Sequence, residues 1–424
     1  MSRLLTWVDE RFPLTSLWNS QWGKYVAPKN FNFWYYFGSL AALVLVLQIV
    51  TGIWLTMNYK PDATKAFESI EYIMRDVPWG WLIRYMHSTG ASMFFVVVYL
   101  HMFRGLMYGS YRKPRELTWL IGCMIYVALM AEAFFGYLLP WGQMSYWGAQ
   151  VIVNLFSTIP VIGDDLSLWI RGDYTISDIT LNRFFAFHVA ALPLVLIALV
   201  AAHLMALHET GSNNPDGVEI KKQPKDPRTG LPLDGIYSHP YYTVKDIVGV
   251  VVFLAVFSII VFFVPEMGGY FIEANNFIPA DPLKTPVHIA PVWYFTPYYA
   301  MLRAVPSFAN TQVWGVIVMG VSVLIFFAMP WLDRGAVKSI RYRGGLYKGW
   351  LAAFVVSFLI LGYLGTVPIT VWGQFAEAFP FYGADKATVV ARVLTIVYFL
   401  FFFLMPWYTA RDKTKPQPTR VRWH

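Results

Sequence analysis

The sequence predicts an all-α, polytopic membrane protein with eight transmembrane helices. Of its 424 residues, 57% are hydrophobic and only 14% are charged, whereas soluble domains are about a quarter charged. The apolar residues fall into runs of about twenty residues, the length that crosses a bilayer as a helix. The eight runs cover residues 33–56, 80–107, 116–139, 183–208, 246–265, 312–332, 349–367 and 388–407.

Basic residues are distributed unevenly among the segments that join these runs. They cluster in residues 1–32, after the second, fourth and sixth runs, and in the tail 411–424. Because cytoplasmic loops carry an excess of Lys and Arg, we predict that both termini and the even-numbered loops are cytoplasmic. Residues 1–32 lack the features of a signal peptide and are expected to lie at the membrane interface. The net charge of +8 is thus assigned to topology, and no nucleic-acid partner is expected.

Four histidines recur at matched intervals inside two of the apolar runs. His87 and His101 are fourteen residues apart in the second run, and His188 and His203 are fifteen apart in the fourth. These intervals leave the two rings of each run about 40° and 60° from alignment, on one broad helix face. Because both runs cross in the same direction, His87 lies at the depth of His188, and His101 at that of His203. The spacing predicts two bis-histidine sites, one toward each membrane face.

Buried imidazole pairs have few chemical explanations. A lone histidine could hydrogen-bond a neighbouring helix, since unpaired polar groups are costly in a bilayer, but four histidines in matched pairs argue against this reading. Structural zinc needs four ligands. The single cysteine, Cys123, excludes an intrachain disulfide, an iron–sulfur cluster held by this chain alone and C-x-x-C-H haem attachment. Bis-imidazole iron leaves no open position and suits electron transfer, so we expect two non-covalent b-type haems.

Arginines and glycines flank the proposed haem sites. Arg84 lies three residues before His87 and Arg104 three after His101, where they could pair with haem propionates or extend toward the interface. Glycines at intervals of fourteen in the first and third runs would let a planar macrocycle approach the backbone, or would allow tight helix packing. These glycines are Gly38, Gly52, Gly122 and Gly136.

Five longer strings give the chain a family resemblance. They are GYLLPWGQMSYWGA (136–149), LNRFFAFH (181–188), HLMALHETGSNNPDG (203–217), HPYYTVKD (239–246) and PVWYFTPYYAMLR (291–303). In these strings the sequence resembles cytochrome b of the respiratory cytochrome bc complex, the quinol–cytochrome c oxidoreductase, of bacterial type. The resemblance covers essentially the whole chain and implies a location in the bacterial inner membrane.

The resemblance implies a Q-cycle that couples electron transfer to proton translocation. Ubiquinol would be oxidised at an outer-face site, with one electron passing to a Rieske iron–sulfur protein and the other to a lower-potential haem held by His87 and His188. A higher-potential haem held by His101 and His203 would then reduce ubiquinone at an inner-face site. The implied partners also include a membrane-bound c-type cytochrome subunit, and the complex would be a dimer.

The same resemblance implies residues for the two quinone sites. At the inner face they are His208, Ser212 and Asp246, with Lys245 and Ser39 as weaker candidates; an imidazole and a carboxylate could deliver the protons for quinone reduction. From the residues alone, His208 could be a solvated helix end and Asp246 a helix cap. The outer-site candidates are Gly148, Pro291, Trp293, Tyr294 and Tyr299.

Two departures from the family pattern bear on this assignment. Most relatives have Pro-Glu-Trp-Tyr where this chain has Val292 as the second residue, so the usual carboxylate acceptor for the quinol proton is missing. We hypothesise that Glu273 replaces it, with Glu266 and Asp281 as alternatives; water, with Tyr294 and a partner protein's histidine, could also serve. The fifteen-residue interval exceeds the fourteen of mitochondrial relatives, and Pro193 could absorb the extra residue by kinking the helix.

The predicted organisation follows from these assignments. Its parts are an interfacial segment (1–32), a di-haem four-helix bundle (33–215), a cytoplasmic loop (216–245), a four-span domain with an outer quinol-site loop at 266–311 (246–410) and a cytoplasmic tail (411–424). The alternative is a di-haem membrane-anchor cytochrome b of another quinone-linked dehydrogenase, which needs only four or five spans. A secondary transporter would show internal repeats and midplane charges, whereas here the intramembrane polar residues are mainly the paired histidines and no repeat appears.

Overall fold

The computed structural model describes residues 3–306, 312–366 and 386–422. Within these ranges seven helical segments are long and apolar enough to cross a membrane. They are Phe33–Thr56, Gly80–Tyr108, Glu116–Leu138, Asp178–Thr210, Tyr241–Phe263, Val313–Leu332 and Gly345–Thr366. An eighth candidate is the helix pair Ala387–Phe403 and Met405–Arg411, which bends by 60° at its break. The protein is an integral membrane protein, and the predicted all-α fold is confirmed.

Several helix bounds differ from the predicted runs. The fifth span begins at Tyr241 instead of residue 246, because the polar residues YYTVKD (241–246) already form helix. The fourth is the longest span, and it begins at Asp178, where the Ser177 backbone N–H donates to Thr180 Oγ1 at 3.0 Å. The predicted end of the seventh run, residue 367, and part of the predicted loop 266–311 lie outside the described residues.

The helices are numbered in chain order. They are α1 (Arg3–Asp9), α2 (Leu14–Trp18), α3 (Tyr36–Thr56), α4 (Ala66–Arg75), α5 (Gly80–Tyr108), α6 (Glu116–Leu138), α7 (Gln143–Ser157), α8 (Gly163–Arg171), α9 (Asp178–Ala186), α10 (Leu192–Thr210), α11 (Tyr241–Phe263), α12 (Thr296–Ala304), α13 (Val313–Leu324), α14 (Met329–Leu332), α15 (Gly345–Thr366), α16 (Lys386–Phe403) and α17 (Met405–Arg411). The two short strands are β1 (Val26–Pro28) and β2 (Gly235–Tyr237), which pair antiparallel.

Two groups of spans pack around separate cores. In the first group α3 packs against α5 and α6 packs against α10, so that the two histidine-bearing helices each have a glycine-bearing neighbour. In the second group α15 packs against α12 and α16, with the buried aromatic rings of Phe354, Tyr398 and Phe401 in contact. Burying such rings supplies much of the packing energy. The helix α11 packs against the first group, where it contacts both α3 and α5.

The fourth span is interrupted by a π turn at Phe187–Ala191, between α9 and α10. The turn includes His188 and ends just before Pro193, which lacks the N–H that a regular helix would use. A π turn holds about one residue more than an α turn. It therefore compensates for the extra residue between His188 and His203, so the kink expected at Pro193 takes the form of this wider turn.

Both described ends of the chain lie at one end of the bundle. β1 pairs with β2 in the loop after the fourth span, and Arg420 forms an ion pair of 2.9 Å with Asp234 in that loop. Lys29 contacts the same carboxylate at 2.8 Å. The N-terminal segment, this loop and the tail are thus connected on one side of the molecule, as the predicted placement of both termini on one side requires.

Candidate functional site

His87 on α5 and His188 in the π turn face each other within the bundle. Their ring centroids are 6.1 Å apart and the ring planes are nearly perpendicular, at 88°. His87 Nδ1 lies 2.9 Å from Thr51 Oγ1, and His188 Nδ1 donates to the Glu132 carbonyl oxygen at 2.9 Å. Because each Nδ1 has a partner on a neighbouring helix, each ring is held with Nε2 free to act as a ligand.

His101 and His203 form a second pair at the other end of the same two helices. Their ring centroids are 6.3 Å apart, with 62° between the planes. Arg104 lies beside this pair, with Nη2 3.3 Å from His101 Nδ1 and the guanidinium over the Tyr35 ring at 4.9 Å. The Arg104 Nε is buried and has no acceptor among the described residues. An anionic group such as a propionate would satisfy it.

Each proposed glycine lies against one of the four histidine rings. A Cβ on Gly38 would stand 3.3 Å from His101, one on Gly52 3.3 Å from His87, and one on Gly122 3.2 Å from His203. Gly136 is even closer to His188, where an added Cβ would overlap the ring. All four glycines therefore keep a side chain out of the space at a histidine pair, as expected for sites that admit a flat macrocycle.

The donor sets fit haem better than another metal. In the described part of the chain, no three His, Cys, Asp or Glu side chains gather into a metal site, whereas structural zinc uses four ligands. Two facing imidazoles, glycines against both rings and an arginine with an unsatisfied N–H match the needs of haem with two axial ligands. His87, His101, His188 and His203 would hold the two iron atoms, with Arg84 and Arg104 at their edges.

A cavity of about 520 Å³ extends from the His87–His188 pair toward the loop after the fifth span. Its size lies in the range of small-molecule sites. Most lining residues are apolar, and the polar ones are Gln48, Arg84, Ser88, Ser92, Glu132, Tyr137 and Asn276, besides the two histidines and Tyr59 and Tyr294. Val292 also lines it, so at this place the wall is apolar where the resemblance leads one to expect an acid.

Glu273 lies directly behind this cavity. Tyr137, which lines the cavity, donates a short hydrogen bond to the Glu273 carboxylate, and Asn276 Nδ2 donates to Tyr137 Oη at 3.0 Å and to Glu273 at 3.3 Å. Burial raises the pKa of Glu273 to about 7, against the opposing effect of the Tyr137 hydroxyl. The carboxyl group can therefore exchange a proton near neutral pH.

The two alternative acids are placed less favourably. Asp281 accepts from the backbone N–H of Leu283 at 2.9 Å, as a turn-capping side chain does. The recorded hydrogen bonds of Glu266 are those its backbone carbonyl accepts from Gly269 and Phe271. Neither residue lines the cavity or bonds to a residue that does so by its side chain. Among the three candidates, Glu273 is the one connected to the cavity.

The other outer-site candidates surround the cavity at different distances. Tyr294 lines it, stacks on Phe95 with centroids 3.9 Å apart, and burial raises its pKa. Trp293 donates to Ser92 Oγ at 3.1 Å, and Pro291 precedes the buried Val292. Like Pro291 and Trp293, the two remaining candidates stand outside the lining. Gly148 is buried against the Tyr137 ring, and Tyr299 donates to the Ile289 carbonyl at 3.4 Å.

At the opposite end, His208 belongs to a cluster with the N-terminal segment. Its ring stacks on Tyr25 with centroids 4.3 Å apart, and Nδ1 lies 2.6 Å from Gln21 Oε1. Ser212 joins the cluster through a 3.0 Å contact between its Oγ and Tyr25 Oη. Two of the residues expected at the inner quinone site are therefore together, and Tyr25 connects them.

Asp246 and its neighbours form a separate group on α11. Ser39 on α3 lies beside Asp246, with its hydroxyl donating to the Tyr36 carbonyl at 3.0 Å, and Lys245 lies over the Tyr241 ring at 4.4 Å. Among the described residues, Asp246 and His208 make no direct hydrogen bond or ion pair with each other.

The sequence reasoning missed several residues that the fold brings to these sites. Tyr137 and Asn276 connect Glu273 to the cavity, and Tyr25 and Gln21 hold His208. These contacts join distant parts of the chain, and no periodicity in the sequence predicts them.

Glu132 could have been identified from the sequence, because an acid in the interior of an apolar run is costly and marks a functional candidate.

Comparison with known proteins agrees with this geometry. The family model "Cytochrome b/b6/petB" matches residues 22–211, and "Cytochrome b(C-terminal)/b6/petD" matches residues 279–399. The match thus includes all four histidines of the paired sites.

Relatives and a solved structure extend the match to nearly the whole chain. A cytochrome b of Allochromatium vinosum is 62% identical, covering 98% of this chain and 98% of its own length. A cytochrome b of Rhodospirillum rubrum is 46% identical over 99% of this chain and 96% of its own. A chain of the solved "Hyperthermophilic respiratory Complex III" is 37% identical with a TM-score of 0.83, covering 96% of this chain and 98% of that one. The chain belongs to the cytochrome b family.

Proposed function

We propose that this chain is the di-haem subunit of a respiratory quinol–cytochrome c oxidoreductase that operates a Q-cycle. The observation that carries the proposal is the pair of facing-histidine sites at the two ends of α5 and of the fourth span. Each site is accompanied by its own glycines, and each stands near one cluster of proton-bearing side chains. When bound, the two haems supply one-electron transfer between the faces of the membrane.

The part of the outer cavity lined by Phe271, Val292 and Tyr294, beyond the space at the His87–His188 pair where haem would bind, is the proposed site of ubiquinol oxidation. The apolar wall, which includes Val292, excludes water, and the Tyr137 hydroxyl presents the nearest route to a buried carboxyl group. We propose that a quinol proton reaches Glu273 by way of Tyr137, with Asn276 fixing the hydroxyl. The pKa of about 7 for Glu273 suits a group that accepts a proton and releases it near neutrality.

The inner cluster is the proposed site of quinone reduction. His208 and Asp246 would donate the protons that the two reduced oxygen atoms take up. Tyr25 and Gln21 hold the His208 ring, and Ser39 lies beside Asp246. Ser212 and Lys245 supply further polar contacts at the rim.

The partners and location follow from the proposed reaction. A Rieske iron–sulfur protein would take one electron from quinol at the cavity, and a membrane-bound c-type cytochrome subunit would accept it. We place the chain in the bacterial inner membrane with both termini in the cytoplasm, in a dimer of complexes. The match to a respiratory complex III chain over 96% of this chain supports this assembly.

The proton route is tested by Glu273→Gln in the purified complex. Because Glu273 is acidic with a raised pKa, it is ionised and able to accept a proton only as the pH rises through about 7. We therefore expect the rate of quinol oxidation by the unmodified complex to increase as the pH rises through about 7. The Glu273→Gln variant should be slower by about 10²-fold or more, and its rate should no longer increase over this pH range.

Glu266→Gln is the matched control, since it removes an acid from the same loop whose side chain makes no described hydrogen bond to a residue of the cavity. It should retain both the rate and the pH profile. An unchanged rate and profile in Glu273→Gln would contradict the assigned route. Haem content, measured in the same samples, separates a lost proton route from a damaged protein.

A further inference from the structure

Glu132 is an acidic residue in the interior of α6 that lies directly beside His188. Its Oε1 is 3.1 Å from His188 Nδ1, and its side chain is only 17% exposed. The Glu132 backbone carbonyl accepts from the same Nδ1 at 2.9 Å, while Oε2 is buried without a partner in the described structure. An acid at this depth is costly unless it acts on a nearby positive or proton-donating group.

The inner site provides an internal comparison for this acid. On α6, Gly136 lies against His188 and Gly122 lies against His203. The residue one helical turn before each glycine is Glu132 at the outer site and Thr118 at the inner site. The Thr118 backbone lies close to His203, but His203 Nδ1 is buried without a hydrogen-bond partner in the described structure. The two sites therefore repeat along α6, but in the described structure the outer histidine has carbonyl and carboxyl acceptors at its Nδ1 that the inner one lacks.

A carboxyl group on the distal nitrogen of an imidazole ligand has a defined effect. Accepting a hydrogen bond from Nδ1–H makes the other nitrogen a stronger donor and fixes the ring orientation. The stronger donation stabilises the oxidised, more positive state of an iron centre over the reduced one. A neutral acceptor does this less strongly than a carboxylate, because charge-assisted hydrogen bonds are about twice as strong as neutral ones.

We propose that Glu132 is a positioning residue for His188 that lowers the reduction potential of the outer haem relative to the inner one. The inference rests on the proposed ligation of haem by the four histidines. It assigns the direction of the potential difference, and so of electron flow from the outer to the inner face, to a side chain of this chain. Glu132 is not required to touch quinol or iron.

The test is a redox titration of the b-type absorbance in the purified complex at one fixed pH. Glu132→Thr copies the inner site, and Glu132→Gln keeps the shape without the carboxylate. In such a titration each haem gives one one-electron reduction step, called its wave. A reference variant, His203→Ala, removes a ligand of the inner haem, so the wave that remains belongs to the outer haem. We expect the outer wave in both Glu132 variants to move up by a factor of ten or more in the reduction equilibrium, about 59 mV for one electron.

The inner wave is the control in the same sample and should stay in place. An outer wave that does not move in Glu132→Gln, or equal shifts of both waves, would overturn the proposal. Loss of the outer haem in both Glu132 variants would also overturn it, since the residue would then be needed for binding and not for potential. Absence of any b-type absorbance in the parent would instead refute the haem ligation itself.

Discussion

At the scale of single residues, the histidines and glycines could be predicted from sequence, because intervals of fourteen and fifteen translate directly into helix faces. The proposed proton acceptor illustrates the limit of this reasoning. Glu273 was one of three acids in a loop, and only the fold shows that Tyr137 and Asn276 connect it to the cavity. The stacking of Tyr25 on His208 could not be predicted either, because the two residues are 183 positions apart and no sequence pattern connects them.

Asp234 offers a residue-level prediction about stability. Burial alone would raise the pKa of Asp234, but hydrogen bonds from Arg420, Lys29 and Gln223 hold it below its usual range. A carboxyl group with a depressed folded-state pKa stabilises the fold above its unfolded-state pKa, about 3.9, and loses this effect as the pH falls through the folded-state value. Asp234→Asn should therefore destabilise the protein by about 2 kcal/mol at neutral pH.

The measurement is the midpoint of denaturant unfolding in mixed micelles at neutral pH and again below about pH 4. The difference in unfolding midpoint between the unmodified protein and Asp234→Asn should be smaller at the lower pH. Asp226→Asn, in the same loop, removes an equal charge that has only a backbone partner at 2.8 Å and should have a smaller effect. A difference in midpoint that increases on acidification would contradict the stabilising role of the ionised Asp234.

At the scale of elements, hydropathy predicted the spans, but the internal form of the fourth span was beyond it. The sequence shows an interval of fifteen and a proline, and either a kink or a wider turn can follow from these. The structure has a π turn at Phe187–Ala191, and the ring of His188 still meets that of His87. The broken eighth span, with its 60° bend at Leu404, was likewise not visible in composition.

The π turn makes a prediction of its own. Deleting Ala190 should convert the turn to regular α-helix and leave an interval of fourteen, so His188 and His203 keep their common face and both haems remain. Deleting Val97 from α5 is the matched control. That helix has no wide turn, so the deletion rotates His101 by about 100° relative to His87. Pyridine haemochrome assay of purified protein should find two haems in the first variant and fewer in the second; the reverse result would contradict this role.

At the scale of the whole molecule, the positive-inside pattern predicts the side of the membrane on which each loop lies, while the fold shows which loops share an end. The N-terminal segment, the loop containing Asp234 and the tail meet at one end. The cavity and the loop that carries Glu273 lie at the other end of α6 from His203. The sequence predicts which segments lie on the same side of the membrane, because charge and hydropathy act on whole segments and do not depend on individual contacts.

The orientation can be tested by cysteine labelling. The natural Cys123 is 3% exposed and should not react with a membrane-impermeant maleimide. In spheroplasts, Tyr174→Cys should be labelled, since Tyr174 is 83% exposed on the outer side in this account. Lys225→Cys should be labelled only after the membrane is opened. Labelling of Lys225→Cys in sealed spheroplasts would reverse the proposed topology.

The central claim is that four histidines of this chain hold two haems, and a reduced-minus-oxidised spectrum of the purified protein tests it most directly. The parent should show two b-type haems per chain. His87→Ala or His188→Ala should remove one, His101→Ala or His203→Ala should remove the other, and His239→Ala, in a loop, should keep both. A parent without b-type absorbance, or a histidine-pair variant that retains both haems, would contradict the account.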